Sequence, residues 1–200
     1  MSWQRQSNPY GKHHGCSLLL AFLTVLILAS SFSITYFSCY DAEKKVLQRR
    51  RDLLSECSRL CDLLPKFSIL VIKYEPASYY AVTRAKIARQ QFYLQPGLTH
   101  KAENYFAIQT ELTGMARKLK INQLALRDGS WHDTISNFRN ITNRVVGVMT
   151  NYNNSAVFYN NTMKGRMQEL WLRVLDFKEA PLFSQPASPT PLRHSSAPRH

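Results

Sequence analysis

The chain has 200 residues, 44% of them hydrophobic and 20% charged, with 26 Lys and Arg against 13 Asp and Glu for a formal charge of +13. That length holds one domain of ordinary size and excludes a large multi-domain enzyme. Apolar residues spread along the chain exclude disorder as its main state, and the cationic excess points to a partner rich in phosphate or carboxylate.

Residues 1–15 read as a short basic leader with Arg5 and Lys12. Residues 16–40 contain no Asp, Glu, Lys or Arg. They read as a single N-terminal transmembrane helix, because about 20 residues of apolar helix cross a hydrocarbon layer of roughly 30 Å. Ser30, Ser31 and Ser33 dilute its second half, but a helix can satisfy a Ser hydroxyl on a carbonyl one turn back. Tyr36, Phe37 and Tyr40 fall at one interface. The alternatives are a buried core helix and a cleaved signal peptide. The charge-free run is long for the first in so small a chain and long for the apolar core of the second.

Residues 41–180 read as a helical bundle. Val46, Leu53, Cys57, Leu60 and Leu64 recur mostly every three or four positions, so a helix follows the anchor without a breaker and the two form one rod that Pro65 ends. Cys57 and Cys61 share a helix face and suit small core positions, not a metal site or an unstrained disulfide. A short helix is predicted over 77–94. Pro96-Gly97 makes a turn, and Thr99 caps a helix running to about 126. The break at Asp128-Gly129 precedes the clearest helix. There Ile135, Phe138, Ile141, Val145, Val148, Tyr152, Ala156, Tyr159, Met163, Leu170 and Val174 keep a three-four rhythm over about 40 residues, with Ser130 or Asp133 as cap. No window alternates as a strand does. The fold class is therefore all-α: a single N-terminal transmembrane helix followed by an elongated three- or four-helix bundle. Residues 181–200, with five prolines, several serines and no acid, read as a disordered tail.

All 13 acids fall between 41 and 179, together with 22 Lys and Arg, so the bundle keeps +9. The cations are densest in Gln48-Arg49-Arg50-Arg51-Asp52, just beyond the anchor. That patch suits lipid headgroups, at about 1 kcal/mol per cation near an anionic surface, or ion pairs with a neighbouring helix; the plainer reading is a solvated helix face. No nucleic-acid module is visible. His132-Asp133 is merely adjacent, and no metal, nucleophile-elbow or phosphate-loop motif occurs. No catalytic group, cofactor or metal site is expected. Tyr152, Asn153, Tyr159 and Asn160 stand at i, i+1, i+7 and i+8, so two Tyr-Asn pairs recur after two helical turns. They suit hydrogen bonds within the bundle, or a partner helix or peptide.

These residues carry a resemblance. Leu47-Gln48-Arg49-Arg50-Arg51-Asp52-Leu53-Leu54 resembles the L-Q-R-R-x-D-L-I signature that follows the anchor in the bacterial LemA family. Ala81-Val82-Thr83-Arg84-Ala85 is similar to the family's V-T-x-A-R. Ala102-Glu103-Asn104-Tyr105-Phe106 with Gln109, Glu111 and Leu112 is similar to N-x-x-F-x-x-L-Q-x-E-L. Tyr152-Asn153-Asn154-Ser155-Ala156-Val157 with Tyr159-Asn160 is similar to Y-N-x-A-V-x-x-Y-N. Phe177-Lys178 and Pro181-Leu182-Phe183 resemble the closing G-F-K-x-x-x-x-F. The pieces occur in family order from about 46 to 183. The chain departs from the pattern where Ser55-Glu56-Cys57-Ser58-Arg59 replaces I-P-N-L-V, where the stretch between Arg84 and Leu98 is shorter, and where that between Gly114 and Tyr152 is longer.

The resemblance implies a single-anchor helical protein; with the anchor and the absence of a reactive cluster it points to a non-catalytic helical scaffold or adaptor. It would act in bacterial membrane or envelope organisation, with one branch associated with magnetosome membranes. It places the bundle in the periplasm or a lumen, whereas the Lys and Arg count beside the anchor favours the cytoplasmic side. The expected partners are membrane lipids, other membrane proteins and a second copy of the chain; a nucleic-acid partner is disfavoured. The other functional classes left open are an anionic-lipid or nucleic-acid binder acting through the basic patch, and a membrane-tethered enzyme or regulator of a hydrolase.

Overall fold

The computed structural model describes residues 11–164 and 174–185. Among them are five α-helices and no strand: α1 (Gly11–Tyr74), α2 (Tyr79–Leu94), α3 (Leu98–Leu119), the single turn α4 (Gln123–Leu126) and α5 (Gly129–Thr162). A short 3-10 turn, Pro76–Ser78, joins α1 to α2. The leader up to residue 10, residues 165–173 and residues 186–200 lie outside the described residues.

Helix α1 has 64 residues, about 96 Å at 1.5 Å per residue, and it serves two surroundings. From Leu18 (71% exposed) to Ile34 (71% exposed) its large apolar side chains are bare, save Phe32, which is half-buried and stacks on Tyr36. Its hydroxyls turn inward on the helix: Thr24 donates to the Ala21 carbonyl, Ser30 to Leu26, Ser33 to Ala29 and Thr35 to Ser31. At Thr35, only 5% exposed, the pattern changes. Cys39, Ala42, Val46, Leu53, Cys57, Leu60, Leu64, Phe67 and Val71 form a buried stripe at helical spacing. The bare stretch is apolar and long enough to cross a membrane.

Helix α5 packs antiparallel along α1. Trp131 and Phe138 meet Phe67 edge-on, Arg144 lies 3.5 Å from Glu56, and Tyr159 feels the charge of Glu43. The α2–α3 hairpin covers the membrane-distal half of α1. Small residues on α2 (Ala85, Ala88) and larger ones on α3 (Tyr105, Ile108, Leu112, Met115) fill the core. Gly97, at φ +98, makes the turn between them, a conformation open to glycine. The Lys101 ammonium closes the turn by donating to the Phe92 carbonyl at 2.6 Å. Cys57 and Cys61 are free, buried core residues, and burial pushes the Cys61 thiol up to about 12.

Four local expectations are corrected. Pro65 does not end α1, which runs nine residues further to Tyr74. A proline removes the N–H that would serve the carbonyl four residues back, here that of Cys61. Arg89 of α2 replaces it, donating from Nε to the Cys61 oxygen at 2.9 Å. Thr99 is not the cap of α3; Gly97 holds that position. Helix α3 stops at Leu119, and Asn122 starts a new turn by accepting from the N–H groups of Leu124 and Ala125 while donating to the Tyr74 carbonyl. Asp128, not Ser130 or Asp133, caps α5, and it also accepts from Tyr74 Oη at 2.5 Å and Lys73 Nζ at 3.2 Å.

Arg89→Leu is expected to destabilise the bundle by about 1.5–3 kcal/mol, the range for a hydrogen bond to a charged group. Pro65→Ala restores an N–H to the Cys61 carbonyl, so the double variant should lose clearly less than Arg89→Leu alone. Equal losses in urea unfolding of the single and double variants would remove the capping role.

Hydrogen bonds from Ser130 and Tyr74, with Lys73, hold the Asp128 carboxyl well below the usual carboxylate range. The folded state thus resists protonation more than the unfolded chain. The stabilisation is whole above the unfolded value of about 4 and falls away as pH drops through the folded one. Asp128→Asn should flatten the acid limb of stability against pH and leave the slope above about pH 5 unchanged. An unaltered acid limb would assign the effect to another group.

Candidate functional site

Residues 180–183 run back along α5. A helical turn at Val174 and Leu175 ends at Asp176, whose φ of +53 lies in the left-handed region that Asp tolerates better than most residues. The segment that follows, residues 177–185, has no regular secondary structure and lies against α5 and α3. The expectation that disorder begins at residue 181 therefore does not hold for residues 181–185. Proline-rich composition argues against a helix, but here the backbone polar groups of Ala180, Pro181 and Phe183 are satisfied by side chains of α5 instead.

The satisfaction is regular. Asn160 donates from Nδ2 to the Ala180 carbonyl at 2.9 Å and accepts the Ala180 N–H on Oδ1 at 2.8 Å. Asn153 does the same to Phe183, at 2.9 Å in both directions. Each carboxamide thus mimics a neighbouring strand, taking both main-chain groups of one residue. Pro181, between them, has no N–H to place, and its carbonyl accepts from the Tyr152 hydroxyl at 2.6 Å.

The spacing follows from the two backbones. Seven helical residues separate the asparagines, an axial distance of about 10.5 Å. Three residues of chain reach at most about 10–11 Å. The segment from Ala180 to Phe183 is therefore drawn out almost fully. Beyond it Phe183, wholly buried, stacks at a tilt on Tyr105 and Phe106 with centroids 5.9 and 5.8 Å away. At the other end Phe177 meets Tyr36 of α1 at 6.5 Å. Residues 177–183 form a strap from the edge of the anchor to the core.

Of the residues singled out in the sequence, the structure brings Tyr152, Asn153, Asn160 and Phe106 into this clamp. Tyr159, on the same helix, turns instead toward Cys39 and Glu43 of α1. Its hydroxyl is buried with no hydrogen-bond partner among the described residues, and burial pushes that phenol up to about 12. Asn104 donates to the His100 carbonyl one turn back. Glu111 holds Arg84 of α2 through two bonds of 2.6 and 3.0 Å, a bidentate tie between α2 and α3. Gln48, Arg49, Arg51 and Asp52 are exposed on α1, and Arg50 is half-buried, its charge felt by Tyr152. Arg49 stands about 20 Å of helix beyond Tyr36.

Sequence reasoning missed Ala180 and Pro181 as clamp partners, and Arg89, Asn122 and Asp128 as the groups that hold α1. A seven-residue repeat of Asn was the available signal for a ladder. Among the described residues no group of three or more His, Cys, Asp or Glu converges as a metal site. What the clamp can do chemically is grip a peptide backbone through paired amides, with one aromatic slot reading a side chain. The chain matches no protein-family model and no curated protein. The bare apolar helix and the packed helices beyond it define a single-pass, membrane-associated helical protein.

Asn160→Ala is expected to speed hydrogen exchange at the Ala180 amide at least ten-fold, and Asn153→Ala at the Phe183 amide likewise, with the amides of α1 and α3 unchanged. Unaltered exchange at both positions would leave the strap fastened by Phe183, Phe177 and the Tyr152–Pro181 hydrogen bond rather than by the asparagines.

Proposed function

We propose that this chain is a membrane-anchored, non-catalytic helical scaffold or adaptor acting in the organisation of a bacterial membrane or envelope. The observation that carries this reading is the continuity of α1. One helix is bare and apolar over its first part and packed in the bundle over the rest, so the bundle stands on its anchor as a stiff post and not on a loose tether. The strap adds a second link between bundle and anchor at Phe177 and Tyr36. A post of this kind suits holding other proteins at a set height.

LemA family membership is part of the proposal. Residues drawn from three of its motif pieces (Phe106; Tyr152, Asn153 and Asn160; Phe183) meet in the clamp, which supports reading those pieces as one functional set. The family reading carries the finer assignments: a periplasmic or lumenal bundle, and the branch associated with magnetosome membranes.

Two measurements test this. Chemical crosslinking in native membranes followed by purification in mild detergent should retain at least one membrane protein above a control carrying the anchor alone; none retained would overturn the adaptor reading. An alkaline phosphatase fused after Gln185 should be active and a green fluorescent protein at the same place dark. The reverse pattern would place the bundle in the cytoplasm and overturn the family-derived orientation.

A further inference from the structure

The membrane-distal part of the bundle has a cleft of about 670 Å³ between α1 and α2. Buried Leu64 and Ser68 form its floor. Ile69 (68% exposed) and Ile72 from α1 face Leu94 (66% exposed) and Tyr93 from α2 across it. Two cations, Lys86 and Arg89, line the cleft and no carboxylate does. Beside it, Asp62 is engaged by the Tyr93 hydroxyl at 3.0 Å and by Arg89 at 3.6 Å. Lys86 has no ion pair among the described residues. A volume in the range of ligand sites, apolar walls, and a lining of two cations of which Lys86 is without an ion pair among the described residues together suit a docking partner.

Three occupants fail on physical grounds. Ile69 lies 33 residues beyond Tyr36, about 50 Å along the helix, so bilayer lipid is out of reach. A second copy would bring an identical patch to the contact, with the same Lys86 and Arg89 and no acid in its lining, so it offers these cations no complementary charge. The chain's own residues 186–200 carry Arg193 and Arg199 and no acid, the wrong sign for this lining. What remains is another protein with apolar and acidic residues side by side. The cleft runs along two helices, and on α2 its lining from Lys86 to Leu94 covers about 12 Å, two turns. An amphipathic helix presents apolar anchors at i, i+3, i+4 and i+7 over that same length.

We propose that the α1–α2 cleft is the docking site for an acidic amphipathic helix of another protein, whose apolar face enters between Ile69, Ile72 and Leu94 and whose carboxylates meet Lys86 and Arg89. The site deepens the adaptor reading and rests on it. It places the recruited protein about 50 Å above the membrane, at the end of the post. A second, smaller cleft between α3 and α5 has the same character, with Arg117, Lys120 and Arg139 among its lining and no acid, so the cationic, acid-free lining recurs on another side of the bundle.

The test uses the full chain in nanodiscs of neutral phosphatidylcholine. The probes are two fluorescent 18-residue helical peptides with leucine on one face and either Glu or Lys on the other. The Glu peptide should bind saturably and at least ten-fold tighter than the Lys peptide, and weaken as salt is raised. Lys86→Glu and Ile69→Asp, both at exposed positions, should each weaken it at least five-fold with the helical circular dichroism unchanged, while Arg49→Ala with Arg51→Ala should leave it as it was. Equal affinity for the two peptides, no binding, or full binding to both cleft variants would overturn the proposal. So would saturable binding of palmitate where the Glu peptide does not bind, which would make the cleft an acyl-chain site. Failure of the peptide with partners still retained by crosslinking would remove this docking site and leave the adaptor reading; loss of both would remove both.

Discussion

A proline at position 65 leaves the Cys61 carbonyl without its intrahelical donor, and that carbonyl lies in the buried part of α1, where water does not replace it freely. The Arg89 guanidinium supplies the missing hydrogen bond from α2. Much of the architecture depends on this exchange. Had α1 ended at Pro65, Phe67, Ser68, Leu70 and Val71 would leave the core stripe, and the aromatic cluster of Phe67, Trp131 and Phe138 would lose its centre. The bond also fixes α2 against α1, because a planar guanidinium that reaches one carbonyl has little freedom left.

The two ends of α1 are held by different chemistry. At the membrane-distal end polar groups converge: Asn122 takes the last carbonyl of α1, while Asp128 takes Tyr74 and Lys73 and at the same time caps α5. One junction thus closes α1, opens α4 and opens α5. Near the membrane, aromatic contact does the work: Tyr36, Phe37 and Tyr40 cluster along α1, and the strap brings Phe177 to them. Polar fastening suits the end bathed in water. Amphipathic rings suit the end that meets headgroups.

How much of this was legible follows from which signals are local. Helix existence was, because periodic apolar residues in α3 and α5 report burial directly; so was the anchor, because charge is simply missing over 16–40. The end of α1 was not. A proline's effect is read from its own position, whereas the arginine that compensates it lies 24 residues away and looks like any surface cation. The caps at Asn122 and Asp128 were missed or misplaced by a few residues, since Ser, Asp and Asn are dense there and any of them can cap. Asn153 and Asn160 were picked out by their repeat, but their target was hidden. Composition assigned residues 181–185 to a tail, and composition does not register that two carboxamides at helical spacing match three residues of extended chain.

The basic patch shows how a rigid post changes the meaning of a charge. In the sequence Arg49 to Arg51 follow the anchor closely, and a flexible chain would let them fall onto headgroups. On a continuous helix they stand about 20 Å beyond Tyr36, while screening at physiological salt has a length of about 8 Å. A tilt of about 20°, ordinary for a membrane-crossing helix, shortens that height by only a small fraction. The cations within reach of headgroups are instead Lys44, Lys45 and the strap's Lys178, all exposed. Arg49 and Arg51 therefore stand above the screened headgroup layer, and the +9 of residues 41–179 is spread up the post rather than laid on the membrane. The same geometry that keeps those arginines off the lipid holds Lys86 and Arg89 higher still, where an anionic partner must come from the aqueous side.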